Sequence, residues 1–395
     1  MSDPLLHVVL PANQNPLHHM IRTDRETQNG IRAERVGDLH WRCEARADTD
    51  HYSYYFHVSL ISDADGAGIL DIHPDTDRPG AVESFRRHRP DAVWVRSVGA
   101  AGIENSAGSA EAEWRRVGVD PDAPDPSVRV RLPLAAGIEH HIARMRPTPY
   151  SEILERLQAL ADRPGVCLTS LGRSSRGREI PLLEIDGGGP SVWVIAGQHS
   201  TEFGGVEAAL GIAEGLAAGI LASGDPGCRC LIAPVVNPDG NVGGHPGCTA
   251  EGVDLYRAFT GAVDGQTLGC AEAAALWSAL REIPPALVLN MHCYTGCSAA
   301  GRYPWEGLYT VSDAAFRSEE ARERQRRLDS LMARETGGLS QHGRFSPHAE
   351  GSLEHQLAAL GIPTVFYEHQ DAHGPAHQHR TGLAILRHAQ SILDR

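Results

Sequence analysis

The sequence predicts an α/β chain: a mixed, mostly parallel sheet with helices on both faces, preceded by an all-β sandwich domain. Three observations carry this. Short strand-like runs separated by turn residues fill residues 1–145. A Pro-rich junction follows at Met145-Arg-Pro-Thr-Pro-Tyr150. Beyond it, apolar strand-like runs alternate with helical periodicity through to residue 395. The expected domains are therefore residues 1–145 and 146–395.

In the first region the strand-like runs are residues 39–45, 52–61, 68–72, 92–96, 113–117 and 128–132. Alternation in the second run places Tyr52, Tyr54 and Phe56 on one face, with His51, Tyr55 and His57 on the other. Residues 120–126, Asp-Pro-Asp-Ala-Pro-Asp-Pro, read as a loop.

In the second region Ser151 is placed to cap a helix over residues 152–161. Strands are expected at 167–171, 180–185, 192–196, 230–236, 286–291 and 364–367. Pro181 makes the second of these an expected edge strand, because proline cannot donate to a ladder. Helices are expected at 204–222, 271–283, 314–335, 353–360 and 382–393. The mixed-charge run 319–327 reads as a solvated helix face with i,i+4 pairs.

At 395 residues, with 41% hydrophobic and 22% charged residues, the chain has ordinary globular composition and length for two cores. Its net charge of −14 argues against a general binder of nucleic acid or anionic membrane. No apolar run is long enough for a membrane span, and the first residues lack a signal-peptide pattern, so a cytoplasmic location is expected. The eight cysteines form no paired C-x-x-C framework and read as reduced thiols.

Three expected strand ends carry chemistry. His199 and Glu202 sit in the turn after residues 192–196, three residues apart, a spacing that lets both converge on one ion. His292 ends Leu-Val-Leu-Asn-Met-His, and Glu368 ends Pro-Thr-Val-Phe-Tyr-Glu. Ligand sites in open α/β sheets gather beyond such strand ends. Two His and one Glu are a catalytic zinc set that leaves a fourth position for water. A further, unligated carboxylate must then move the proton, and Glu368 fits that role.

These motifs, with Pro234-Val-Val-Asn-Pro-Asp-Gly240 and Gly252-Val-Asp-Leu-Tyr-Arg257 between them, resemble the carboxypeptidase A-like zinc metallocarboxypeptidases over about residues 165–395. The β-rich start and the Pro147-Thr-Pro-Tyr150 junction are similar to the cytosolic carboxypeptidase branch, which carries an N-terminal β-sandwich. The resemblance implies one zinc ion on His199, Glu202 and His292, with Glu368 as general base and acid. It implies that Asp254 orients the first zinc histidine and that Arg257 grips a substrate carboxylate.

The chain also departs from the family. Tyr256 replaces the asparagine of the family's Asn-Arg pair, and Gly247 stands where the family has its transition-state arginine. Arg302 and His245 are candidate replacements for that arginine. Tyr294, Tyr303 and Tyr309, with His348 and Glu350, lie in the region of the family's substrate-contacting tyrosine. The cluster His369, His373, His377 and His379 reads as a polar loop over the cleft edge, or as a second metal or substrate-binding site.

The expected function is zinc-dependent hydrolysis of an amide, removing C-terminal residues from peptides or proteins. Two alternatives remain: an amidase or deacylase acting on a small N-acyl compound, and a non-catalytic zinc-binding interaction protein. No nucleic-acid or membrane partner is expected.

Overall fold

The computed structural model describes residues 20–22, 25–49, 52–99, 113–219, 227–294, 306–335 and 350–393. The chain separates into two compact units. The first holds the described residues through Pro147, together with Val242–Pro246; the second holds the rest.

The first unit contains β1 (Met20–Arg22), β2 (Gly30–Gly37), β3 (His40–Ala45), β4 (His57–Ile61), β5 (Gly66–His73), α1 (Pro79–Arg87), β6 (Ala92–Gly99), β7 (Arg115–Gly118), β8 (Val128–Leu134) and β9 (Ile138–Ala143). Two sheets form, ordered β1-β4-β9-β6-β7 and β2-β3-β5-β8. Inward residues of both sheets, among them Trp41, Leu70, Val130, Leu60, Val95 and Ile142, share one apolar cluster. The unit is not all-β: α1 contributes Phe85 to that cluster. The expected strand 52–61 shrinks to β4. Tyr55 and Phe56 before it are fully buried but stand outside the ladder, and His51 lies outside the described residues.

The second unit runs α2 (Tyr150–Ala161), β10 (Val166–Arg173), β11 (Glu179–Ile185), β12 (Ser191–Ala196), α3 (Phe203–Ala217), β13 (Arg229–Ala233), α4 (Pro238–Gly243), α5 (Ala271–Glu282), β14 (Leu287–Tyr294), β15 (Gly307–Tyr309), α6 (Glu319–Glu335), α7 (Leu353–Ala359), β16 (Thr364–Gln370) and α8 (Pro375–Gln390). Helix α2 begins one residue before the expected cap, with Pro149 at its N-cap.

One sheet, ordered β10-β11-β13-β12-β14-β16-β15, forms its centre. The β13-β12, β12-β14 and β14-β16 pairings are parallel, and β10-β11, β11-β13 and β15-β16 are antiparallel. The described sheet is thus evenly mixed rather than mostly parallel, because both flanks close by antiparallel strands. The central block of four parallel strands, β13-β12-β14-β16, explains the continuous apolar run Val192–Ala196, which is wholly buried.

β11 is not an edge strand. It lies between β10 and β13, but its pairing with β13 covers only Leu183 to Ile185. Pro181 pairs with Ser170 of β10 and lies outside the span paired with β13, so its missing N–H costs the β11-β13 ladder nothing. Alternate strand residues Trp193, Ile195, Leu231 and Val288 join Leu276 and Leu280 of α5 and Leu353 and Leu357 of α7 in one core.

α8 starts seven residues earlier than the periodicity suggests. Gly382 is not its beginning but a mid-helix contact: a Cβ there would sit 2.8 Å from the Ala208 carbonyl oxygen, so glycine lets α8 approach α3.

Candidate metal centre and catalytic carboxylate

Three adjacent parallel strands build the site. β12 ends at Ala196, and Gly197 turns the chain with φ of 67°, a left-handed conformation that favours glycine. The turn delivers Gln198 and His199 and ends at Glu202, the residue before α3, whose N–H bonds the His199 carbonyl at 3.1 Å. β14 presents His292 and β16 presents Glu368, and the two are direct register partners. All four sequence-predicted residues therefore gather at the carboxyl ends of the parallel trio, where such sheets place their ligands.

Glu202 is the hub. Its Oε1 lies 2.7 Å from His199 Nδ1, and its Oε2 lies 2.8 Å from His292 Nδ1 and accepts the Cys293 N–H at 3.1 Å. The far nitrogens are also engaged. His199 Nε2 is 3.4 Å from Asp254 Oδ1, and His292 Nε2 is 3.0 Å from Gln198 Oε1. Gln198 Oε1 in turn accepts from Asn290 Nδ2 at 2.8 Å, and Asn290 Nδ2 also donates to Glu354.

Oxygen acceptors thus hold Nε2 of each ring, while both Nδ1 atoms converge on one carboxylate. A cation there would replace the protons that Nδ1 of each ring now shares with Glu202, while the Asp254 and Gln198 oxygens keep hold of Nε2. The three ligand side chains are buried, and their ligand atoms lie within 4.8 Å of one another.

Aromatic packing holds the rings. The His292 ring stacks on Phe366 at 4.4 Å, and Tyr256 meets His199 and His292 edge-on at 5.7 and 5.5 Å. Asp254 arrives at the end of a tight reversal. Thr249 N–H bonds the Val253 carbonyl at 2.8 Å, and Gly252 supplies the positive φ of 80°. Asn237 ties this segment to the histidine turn by donating to the Cys248 and Gln198 carbonyls.

The charges follow from burial and proximity. Burial pushes the His199 imidazole down, but the Glu202 charge and bonds to Asp254 and Glu202 outweigh it and lift its pKa to about 10. Burial raises the Glu202 carboxyl, yet the two imidazoles hold it down at about 2. Glu368 behaves oppositely. Burial and then the Glu202 charge drive its carboxyl well above the usual range, with His199 the opposing influence. Its Oε2 is buried and has no hydrogen-bond partner among the described residues. A cation on the neighbouring triad would act against that upward shift.

The remaining predicted residues differ in exposure. Tyr256 and Arg257 lie on a short 3-10 turn, Leu255–Arg257. Tyr256 is buried as a wall of the histidine pair, whereas Arg257 is exposed, with Nε 3.2 Å from Asp254 Oδ2 and its guanidinium 5.7 Å from the Tyr256 ring. His245 belongs to the first unit, where Nδ1 pairs with Asp48 at 2.9 Å. Arg302, Tyr303 and His348 lie outside the described residues. Tyr309 is buried edge-on to Phe366 at 5.4 Å.

Sequence reasoning missed Gln198, Asn290 and Glu354. Asn290 had a signal: it is polar within an apolar strand and shares a face with His292, two residues on.

Comparison with known proteins now decides the family. Residues 153–367 match the Peptidase_M14 family model, zinc carboxypeptidase. The chain belongs to this zinc carboxypeptidase family. It is accordingly a zinc hydrolase. Among solved structures it resembles a metallo-carboxypeptidase from Burkholderia cenocepacia, at 16% identity and a TM-score of 0.74, covering 95% of this chain and 99% of that one. It likewise resembles a metallo-carboxypeptidase from Pseudomonas aeruginosa in complex with (2-guanidinoethylmercapto)succinic acid, at 17% identity and a TM-score of 0.74, with 95% and 99% covered. At these identities the likeness shows the fold. No curated protein matches the sequence.

Proposed function

We propose that this enzyme is a metallocarboxypeptidase that removes C-terminal residues from peptides or proteins, with His199, Glu202 and His292 as zinc ligands and Glu368 as the proton carrier. The observation that carries this reading is the buried, unpartnered Glu368 Oε2 beside a two-histidine, one-carboxylate cluster. Zinc held there supplies a Lewis acid and lowers the pKa of a water in its open position.

The residues do the rest. Glu368 takes a proton on Oε2 from the attacking water and returns it to the leaving amine, a role open to a buried carboxylate oxygen with no other hydrogen-bond partner among the described residues. Asp254 and Gln198 keep the rings in the ligating tautomer. Arg257, exposed and carrying a planar guanidinium, binds the substrate carboxylate. The succinic acid derivative bound by the Pseudomonas relative, which carries carboxylates, is in keeping with this.

A second reading, an amidase or deacylase for small N-acyl compounds, draws on Tyr256. Buried against the histidines, it offers Arg257 no amide partner for a carboxylate clamp. Amino-acid release from free-acid peptides and their C-terminally amidated counterparts separates the two. Preference for the free acid supports the carboxypeptidase; equal cleavage removes Arg257 as anchor and favours the amidase.

A further inference from the structure

A second cluster of ligating side chains lies in the same unit, built on different residues. Glu306 immediately precedes β15, which pairs antiparallel with β16. His369 is on β16, His373 is in the turn after it, and His377 is in the first turn of α8. Successive strand residues point to opposite faces, so Tyr367 and His369 project from the face of β16 opposite to Glu368. Their rings lie 4.9 Å apart.

The contacts centre on the Glu306 carboxylate, which is buried. Oε2 is 2.9 Å from His373 Nδ1 and 3.0 Å from His377 Nε2, and Oε1 accepts the Tyr367 hydroxyl at 3.1 Å. The ligand atoms of Glu306, His373 and His377 lie within 4.8 Å of one another. Buried Gln378 pins the turn by donating to the His373 carbonyl at 2.9 Å.

The independent observation is His369. Its side chain is 0% exposed, neither ring nitrogen has a hydrogen-bond partner among the described residues, and Nδ1 lies 3.8 Å from Glu306 Oε1. A buried imidazole without partners is costly unless something takes its lone pair.

We propose that Glu306, His373 and His377, with His369 as the fourth donor, form a second metal site for zinc or a zinc-like divalent ion, separate from the catalytic one. A tetrahedral ion with bonds of about 2.0–2.1 Å sets its ligand atoms about 3.3 Å apart. The separations of 2.9 and 3.0 Å from Glu306 Oε2 to His373 and His377 fall close to that value, while His369 stands outside this group of three and enters the shell by a side-chain shift. Three imidazoles and one carboxylate close the coordination sphere, which makes the site structural rather than catalytic. Binding requires His373 Nδ1 and His377 Nε2 to present lone pairs, so the protons they now donate to Glu306 move to the other ring nitrogen or, from a charged ring, to solvent. The ion joins the start of β15, the end of β16 and the first turn of α8.

The test is metal stoichiometry, independent of activity. Protein stripped with chelator, saturated with zinc and desalted should hold two equivalents by mass spectrometry. His373→Ala/His377→Ala should hold one, and His199→Ala/His292→Ala should hold the other. A single wild-type equivalent that survives in His373→Ala/His377→Ala, or two retained in that variant, overturns the proposal. Should that variant not fold, cobalt(II) in His199→Ala/His292→Ala reads the site directly. Tetrahedral d–d bands support the proposal, and a six-coordinate aqueous spectrum overturns it. Failure of the catalytic site alone would instead remove the equivalent assigned to His199 and His292.

Discussion

Glu202 and Glu207 lie five residues apart, are both buried, and both are held at about 2, yet they are balanced in different ways. Glu207, inside α3, meets the Arg156 guanidinium at 3.0 Å, His379 at 2.9 Å and the Thr148 hydroxyl at 2.8 Å. Arginine keeps its charge at every working pH, so this node is complete without a ligand. Among the described residues, Glu202 has only imidazoles as balancing cations, and those exist as cations only when protonated. A buried carboxylate ringed by imidazoles alone must hold protons or a metal. That difference separates an ion-pair node from a cluster able to exchange protons for a metal, and Glu306, which meets imidazoles and the Tyr367 hydroxyl, has the second arrangement.

The comparison can be broken in several places. The largest effect should come from His292→Ala, which removes a ligand and leaves Glu202 with one imidazole. Zinc at that site should be lost and turnover should fall by at least about 10³-fold. Metal analysis paired with an assay checks this, and full activity without that zinc would contradict it.

Glu207→Gln should do the reverse: keep the metal and cost stability of about 1.5–3 kcal/mol, the loss of a hydrogen bond to a charged group, because Arg156 keeps its bonds to Glu214. Its pH dependence has a definite sign. The folded Glu207 pKa, about 2, lies below the ordinary 4.5. Its contribution is therefore present above 4.5 and is lost as pH falls through 2. Urea unfolding of wild type and variant should show a gap at pH 7 that narrows toward acid. A gap independent of pH would mean that packing, not charge, is what Glu207 supplies.

Smaller changes sharpen the metal side. Gln198→Ala frees His292 Nε2 and should weaken zinc binding by about 10–100-fold with the ligands intact. Competition with a chromophoric chelator measures this, and unchanged affinity would deny Gln198 its positioning role. Arg257→Ala should raise KM for free-acid peptides by about 10-fold and leave amidated peptides nearly unaffected. An equal rise for both would show that the guanidinium does not read the carboxylate.

The two metal clusters also differ in how visible they were in sequence. His199, His292 and Glu368 each follow an apolar run, so a polar residue at the run's end marks a strand end facing a cleft. Glu306, His373 and His377 have no such flank. Gly374-Pro375 read as a break in a polar loop, but glycine there is the N-cap and proline the first helical residue of α8. Proline fits that position because the first helical N–H has no partner to lose. The helix then carries His377 toward Glu306 and His379 toward Glu207, a division that depends on tertiary packing and not on spacing. Helix α1 was missed for a related reason: residues 80–87 bury only Ala81, Ser84 and Phe85, too narrow a stripe to read beside so many strands.

The most direct test of the catalytic assignment is Glu368→Gln, measured for zinc content and turnover in the same preparation. The amide keeps the shape of the side chain and removes its capacity to accept the proton. Zinc should remain at the wild-type level while kcat falls by about 10²–10⁴-fold. Wild-type turnover with zinc in place would contradict the assignment of Glu368 as the base.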